Sequence, residues 1–364
     1  MISDFSVWLK LLLAILVAAG VTFVMTPPVK RFAERVGAID VPRDARRVHD
    51  HPVPRMGGLA IFIGFVLSLL CFVDVSTQVL GILLGGLIIA VMGAVDDIVS
   101  LNAWVKLAGQ IVAAIVAIRC GLVFNAISNP NAFSEHTTIY LASYLTIPLT
   151  LLWIVGCTNA VNLIDGLDGL AVGVSTISSI TMLVVALFVA EPNVAMILAA
   201  LVGACLGFIP YNFNPAKIFM GDVGSQLLGY VLSTVSIMGL FKLHTLITFL
   251  VPLLALAVPL ADTTFAFFRR VLHGQSPFHA DKGHFHHRLL ALGLSQKQAV
   301  TVLYGISAVL GLIAVLLAGS GAIVRIVCAV CAFIIAVAVW FYVFWHNPNL
   351  HHRHKDDKGT QENN

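Results

Sequence analysis

Residues 79–120 read VLGILLGGLIIAVMGAVDDIVSLNAWVKLAGQIVAAIVAIRC. Two long apolar runs flank a short polar stretch that holds an acidic pair, Asp96 and Asp97, and a lysine, Lys106, opens the second run. A membrane-crossing helix needs about 20 mainly apolar residues. The runs at 79–95 and 103–120 approach that length, and the same pattern repeats along the chain.

Working outward, similar runs lie near 6–26, 57–73, 137–156, 169–190, 192–210, 224–241, 243–268, 299–318 and 321–345. Composition agrees: 59% of the 364 residues are hydrophobic and 11% charged. A soluble domain has roughly 45–50% and about 25%. A folded globule must cover its surface with polar atoms, so a water-soluble core is excluded. The expected fold is all-α, a polytopic transmembrane bundle of about eleven spans. It forms one integral membrane domain over 1–345, followed by a polar tail over 346–364 that is predicted to be disordered. The first apolar run carries Asp4 before it, Lys10 within it and its basic cluster after it, the reverse of a secretory signal. It reads as a first span that is kept. The six cysteines sit mostly inside apolar runs; even the pair Cys328 and Cys331 reads as small packing residues.

The net charge of +3 matters less than its distribution. Joining the spans places 17 of the 21 lysines and arginines in one set of loops, from Lys30 through Arg55, Lys217, Arg269 and Arg288 to the tail. The opposite set holds only Arg119, Lys242 and Arg325. Positive residues gather on the cytoplasmic side. The expected topology therefore has the N-terminus outside, the C-terminus inside, and the reactive loops facing the cytoplasm from a cell (inner) membrane.

Acidic residues near membrane depth are expensive and default to functional candidates. They fall into three groups, each at the cytoplasmic end of a span. In AVDDIVSLNAWVKL, Asp96 and Asp97 are adjacent; such carboxylates repel unless a cation or proton lies between them. A helix-capping aspartate is the plain alternative. In NAVNLIDGLDGL, Asn159, Asn162, Asp165 and Asp168 recur every third residue, so a helix would bring them to about one face. Carboxylate and carboxamide oxygens together suit a hard cation. In FMGDVGS, Asp222 lies between two glycines just after Phe219, placed either to cap a helix or to reach a shared metal. Two further loops are basic. HPVPRMGG puts Arg55 before the second span, and HADKGHFHHRLL holds His279, Lys282, His284, His286, His287 and Arg288. Cations interleaved with these histidines suit a phosphate better than zinc, and the loop lacks both HExxH and a cysteine partner. Carboxylates for Mg²⁺ and cations for phosphates at a membrane boundary suggest phosphoryl chemistry on a lipid.

The order DD…NxxNxxDGxDG…GDxGS…HxHHR, preceded by PxPRxGG, resembles the polyprenyl-phosphate N-acetylhexosamine-1-phosphate transferases over residues 40 to 295. HADKGHFHHRLL resembles the branch that starts O-antigen and teichoic acid linkage units, and the triple histidine of the peptidoglycan branch is missing. The resemblance implies transfer of GlcNAc-1-phosphate from UDP-GlcNAc to undecaprenyl phosphate, with release of UMP. It also implies Mg²⁺, with Mn²⁺ as a substitute, a membrane-lipid setting, no nucleic-acid partner, and leaves a homodimer open. Carried over by position, Asp96 is catalytic base or lipid-phosphate partner with Asp97 beside it, and Asp165 joins them. Asn162 and Asp222 hold the metal. Lys106 meets the acceptor phosphate, Asp168 lies near the donor uridine, Phe219 stacks on uracil, and His284, His286, His287 and Arg288 clamp the diphosphate. One departure is Ser100, where some relatives have lysine, which leaves Lys106 as the nearest fixed cation. Rival expectations are a transporter using the acids as ion sites and a zinc hydrolase built on the histidine loop.

Overall fold

The computed structural model describes residues 5–41, 51–124, 126–128, 138–140, 142–239, 246–274, 284–319 and 321–345. Arg43, Arg46, Arg47, Lys242, His279, Lys282 and the whole tail after 345 lie outside the described residues.

The chain is helical, as expected. In order come α1 (Phe5–Val36), α2 (Gly58–Phe72), α3 (Thr77–Val99), α4 (Ala103–Arg119), α5 (Ser143–Leu163), α6 (Leu170–Phe188) and α7 (Pro192–Asn212). They are followed by α8 (Gly221–Gly239), α9 (Leu246–Ala255), α10 (Ala257–Leu272), α11 (Phe285–Ala291), α12 (Gln296–Ala318) and α13 (Ala322–Trp345). Among the described residues, seven helices are long and apolar enough to cross a membrane: α1, α3, α5, α6, α7, α12 and α13. The others fall short for visible reasons. α2 has 15 residues and α4 has 17, while α8 carries Asp222, Ser225, Gln226, Ser233, Thr234 and Ser236.

One expectation is corrected. The run at 243–268 is not one helix but two, α9 and α10, meeting at Leu256. Pro259 has no N–H to donate to the Ala255 carbonyl, so a continuous helix would lose that bond. The Ser178 hydroxyl of α6 donates to that carbonyl instead. Among the described residues, two short hairpins accompany the helices without changing the all-α class. β1 (Ile39–Asp40) pairs antiparallel with β2 (Val53–Pro54), matching Ile39 to Pro54 and Asp40 to Val53. β3 (Ala126–Ser128) pairs antiparallel with β4 (Thr138–Tyr140).

α8 is the centre of the bundle. Every residue from Val223 to Gly239 is buried, and α2, α3, α5, α6 and α7 pack around it. Its polar side chains survive there because most are satisfied locally: Thr234 Oγ1 donates to the Tyr230 carbonyl at 2.8 Å and Ser236 Oγ to the Ser233 carbonyl at 2.7 Å. Leucine, isoleucine, phenylalanine and tryptophan side chains of α1, α3 and α13 instead face outward, as a lipid-facing surface requires.

Close packing onto α8 depends on small residues. Gly58 at the start of α2 lies against the Gly224 backbone so tightly that a Cβ there would overlap it. Overpacking of this kind costs at least about 1–3 kcal/mol. Gly58→Val is therefore expected to lower the melting temperature of the detergent-solubilised protein by several degrees. An unchanged melting curve would show that α2 does not rest on α8 in this way.

Candidate active site

The site is built where α8 begins. Gly221 adopts φ 71°, a left-handed conformation that a side chain disfavours, and a Cβ there would strike the Asp97 carboxylate. Asp97 is the acceptor that this helix start needs. Its Oδ1 accepts from the Asp222 amide at 3.1 Å and its Oδ2 from the Val223 amide at 3.4 Å. Asp97 thus caps α8 from the end of α3, where carboxylate and helix dipole attract. Of the two roles the sequence allowed for Asp222, capping belongs to Asp97 instead.

The PRMGG loop is stitched to the same place. Phe219 N donates to the Pro54 carbonyl at 2.8 Å, Gly57 N to the Phe219 carbonyl at 2.9 Å, and Gly58 N to the Met220 carbonyl at 2.8 Å. This pairing sets Arg55 beside Asp97, with Nε 3.5 Å from Oδ1. Lys106 is therefore not the only cation fixed at the acidic pair.

Lys106 joins two carboxylates. Its Nζ lies 2.9 Å from Asp222 Oδ2 and 3.2 Å from Asp96 Oδ2. Asp96 Oδ1 accepts the Leu101 amide at 2.6 Å. Both oxygens of Asp96 are thereby engaged, and α4 is capped by Asn102, whose Oδ1 takes the Trp104 amide at 3.0 Å.

The four polar residues of NAVNLIDGLDGL separate. Asn159 points into the bundle, where its Nδ2 donates to Gln110 Oε1 at 2.6 Å. It does not join a cation site. Asn162 Oδ1 accepts the Ser225 hydroxyl of α8 at 2.7 Å. Asp168 Oδ2 accepts Asn214 Nδ2 and the Ala216 amide, each at 3.0 Å, so it organises the loop before α8. Asp165 lies between α5 and α6, and among the described residues no hydrogen-bond donor reaches its carboxyl. Burial, then the negative charges of Asp222, Asp97 and Asp168, push Asp165 up to about 8.

These elements enclose a cleft of about 430 Å³ at one end of the bundle. Its walls include Asp97, Asn162, Asp165, Asp168, Phe219, Asp222 and His287, joined by Asp40, Arg55, Asn212 and Gln296. Seven of the twelve residues proposed from sequence thus share one cavity. Asp96 and Lys106 stand behind Asp222, outside the lining.

The described end of the histidine loop is anchored inside the protein. Asp262 of α10 holds it: Oδ2 lies 2.8 Å from His284 Nδ1, and Oδ1 accepts the Phe285 amide at 2.7 Å. The His286 ring is buried against Gly166, close enough that a Cβ on Gly166 would collide with it. Burial, with help from His287, pulls His286 down to about 4, so it is neutral at physiological pH. His287 reaches the cleft, whereas Arg288 is exposed and does not line it. Among the described residues no three His, Cys, Asp or Glu side chains gather as a metal cage.

A family model, glycosyl transferase family 4, matches residues 79–240. The chain is 43% identical over 310 residues, 85% of each chain, to a protein of Bacillus subtilis (strain 168) described as a probable undecaprenyl-phosphate N-acetylglucosaminyl 1-phosphate transferase. The chain belongs to glycosyl transferase family 4. It is also 37% identical over 323 residues, 81% of this chain and 79% of the other, to a decaprenyl-phosphate N-acetylglucosaminephosphotransferase of Mycobacterium tuberculosis (strain CDC 1551 / Oshkosh). A phospho-N-acetylmuramoyl-pentapeptide-transferase of Staphylococcus saprophyticus is 32% identical over 279 residues, 71% of this chain and 83% of the other. The resemblance drawn from the motifs holds.

In this family-4 member, sequence reading passed over Asp40, Asp262, Gln110 and Gln226. Asp262 had a usable signal, a lone acid in the apolar run AVPLADTTF. Asp40 had none, because its place in the cleft follows from a two-residue strand.

The neutral His286 gives a pH signature. Its pKa is depressed on folding from 6.5 to about 4, so its contribution is complete above about 6.5 and is lost as pH falls toward 4. The loss amounts to at most about 3 kcal/mol. Melting temperature should fall through that window in the parent protein and stay flatter in His286→Gln. Parallel profiles would contradict a buried neutral imidazole.

Proposed function

We propose that this transferase moves GlcNAc-1-phosphate from UDP-GlcNAc to undecaprenyl phosphate, giving undecaprenyl-diphospho-GlcNAc and UMP at the cytoplasmic face of the membrane. One observation carries the reading: a single cleft at the bundle end combines Asn162, Asp165 and Asp222 with Phe219, while Arg55 and Lys106 stand beside the carboxylates. Acidic and amide oxygens suit a metal-bound diphosphate, an aromatic suits a base, and cations suit a second phosphate. The relatives' names, for N-acetylglucosamine phosphate transfer onto undecaprenyl or decaprenyl phosphate, support a polyprenyl-phosphate acceptor and the transferred group. The one-sided distribution of lysine and arginine supports about eleven spans and a cytoplasmic site.

Asn162 and Asp222, with Asp165 beside them, are the residues fitted to hold Mg²⁺. Among the described residues no donor meets Asp165, which lies among three other carboxylates, an environment that a cation relieves. Mg²⁺ is typically held by one or two carboxylates plus substrate phosphates, which agrees with a site that is not an all-protein cage. When bound there, such an ion would supply positive charge against the diphosphate.

The acceptor phosphate is a monoester whose second pKa is near ~6, so it arrives largely deprotonated. One of its oxygens attacks the donor β-phosphorus, and the bridging oxygen leaves with UMP. No strong base is required. Asp96 has both oxygens engaged, so it acts by fixing Lys106, whose ammonium is held 2.9 Å from Asp222 of the cleft wall as the cation for the acceptor phosphate. Phe219 offers the uracil a face, and His287 contributes from the donor side.

Asp222→Asn and Asp96→Asn membranes are expected to release UMP from UDP-GlcNAc at least about a hundredfold more slowly, the usual scale for removing one group that stabilises developing charge. Near-parental turnover in either variant would sink the assignment.

A further inference from the structure

Behind Asp222 runs a chain of amides that the chemistry above leaves unused. Asp222 Oδ2 accepts Gln226 Nε2 at 2.9 Å in addition to Lys106. Gln226 lies one turn further along α8 and is fully buried. Its Oε1 accepts Gln110 Nε2 of α4 at 2.9 Å. Gln110, also buried, faces Asn159 of α5 with a reciprocal pair: Gln110 Nε2 to Asn159 Oδ1 at 3.3 Å and Asn159 Nδ2 to Gln110 Oε1 at 2.6 Å. Asn159 Nδ2 donates a second bond, to the Val155 carbonyl, at 2.9 Å.

This chain has a direction. A carbonyl can only accept, so Val155 turns the Asn159 NH₂ toward itself and toward Gln110 Oε1. The Gln110 NH₂ must then serve both Asn159 Oδ1 and Gln226 Oε1. That leaves the Gln226 NH₂ pointing at Asp222. Flipping any one amide would press oxygen against oxygen. Three helices therefore agree on one orientation for one carboxylate, in a setting where unpaired amides are costly.

We propose that Gln226 is a positioning residue for Asp222, kept in register by Gln110 and Asn159, so that Oδ2 is retained by Lys106 and Gln226 while Oδ1 is presented to the cleft. The proposal rests on the reading of Asp222 as a metal ligand on the donor side.

The test is Mn²⁺ binding to the full-length protein in detergent, followed by electron paramagnetic resonance with UDP-GlcNAc and without lipid acceptor, so that no turnover occurs. Gln226→Met and Gln110→Leu should each weaken Mn²⁺ by about ten- to a hundredfold, the scale of a lost hydrogen bond to a charged group. The double variant should be no worse than the weaker single, because both act through one path. KM for UDP-GlcNAc should rise while that for undecaprenyl phosphate stays unchanged. Parental Mn²⁺ affinity per folded molecule in Gln226→Met, even with a lowered melting temperature, would reduce the chain to a packing role and overturn the proposal. Asp222→Asn serves as the reference. If it binds Mn²⁺ normally, the reading of Asp222 and the relay fall together. If it loses Mn²⁺ while Gln226→Met does not, the relay alone falls.

Discussion

The first turn of α8 is partly buried at the end of the bundle, and its backbone amides need an acceptor in place of water. Asp97 supplies it from the end of α3. Much of the site follows from that one contact. The contact requires the left-handed Gly221 and draws Arg55 to its side. It also fixes α8 so that Asp222 and Ser225 face Lys106 and Asn162. A helix start that had to be satisfied thus became the floor of an anion- and cation-binding cleft.

The cleft is out of electrostatic balance by design. Asp97, Asp165, Asp168 and Asp222 line it, while Arg55 and Lys106 answer two of them. Asp165 bears the deficit and holds its proton toward neutral pH. A ligand that brings its own cation corrects the imbalance, and a phosphorylated ligand alone would worsen it. Nucleotide-diphosphate donors accompanied by a divalent ion meet that condition.

Much of this was legible in the amino-acid sequence, because membrane burial writes a strong signal. Runs of leucine, isoleucine and valine mark the helices, and an acid beside such a run is conspicuous, which is how Asp97, Asp165 and Asp222 were singled out. The run at 243–268 misled because hydropathy is blind to backbone bonding, and Pro259 breaks the helix without changing the apolar count. Asn159 misled because spacing puts it on the face of Asn162, whereas its partner Gln110 comes from another helix. His284 and His286 were expected on the diphosphate, yet Asp262 holds one and the other packs on Gly166. Residues whose role depends on a partner distant in the chain were the ones sequence could not place.

The central claim is that the cleft transfers the phosphorus together with the sugar. The measurement that meets it most directly uses purified protein, undecaprenyl phosphate, Mg²⁺ and UDP-GlcNAc radiolabelled at the β-phosphorus. The label should appear in the lipid product while unlabelled UMP is released. Label retained in released UDP, with unlabelled phosphorus on the lipid, would show simple sugar transfer and contradict the account.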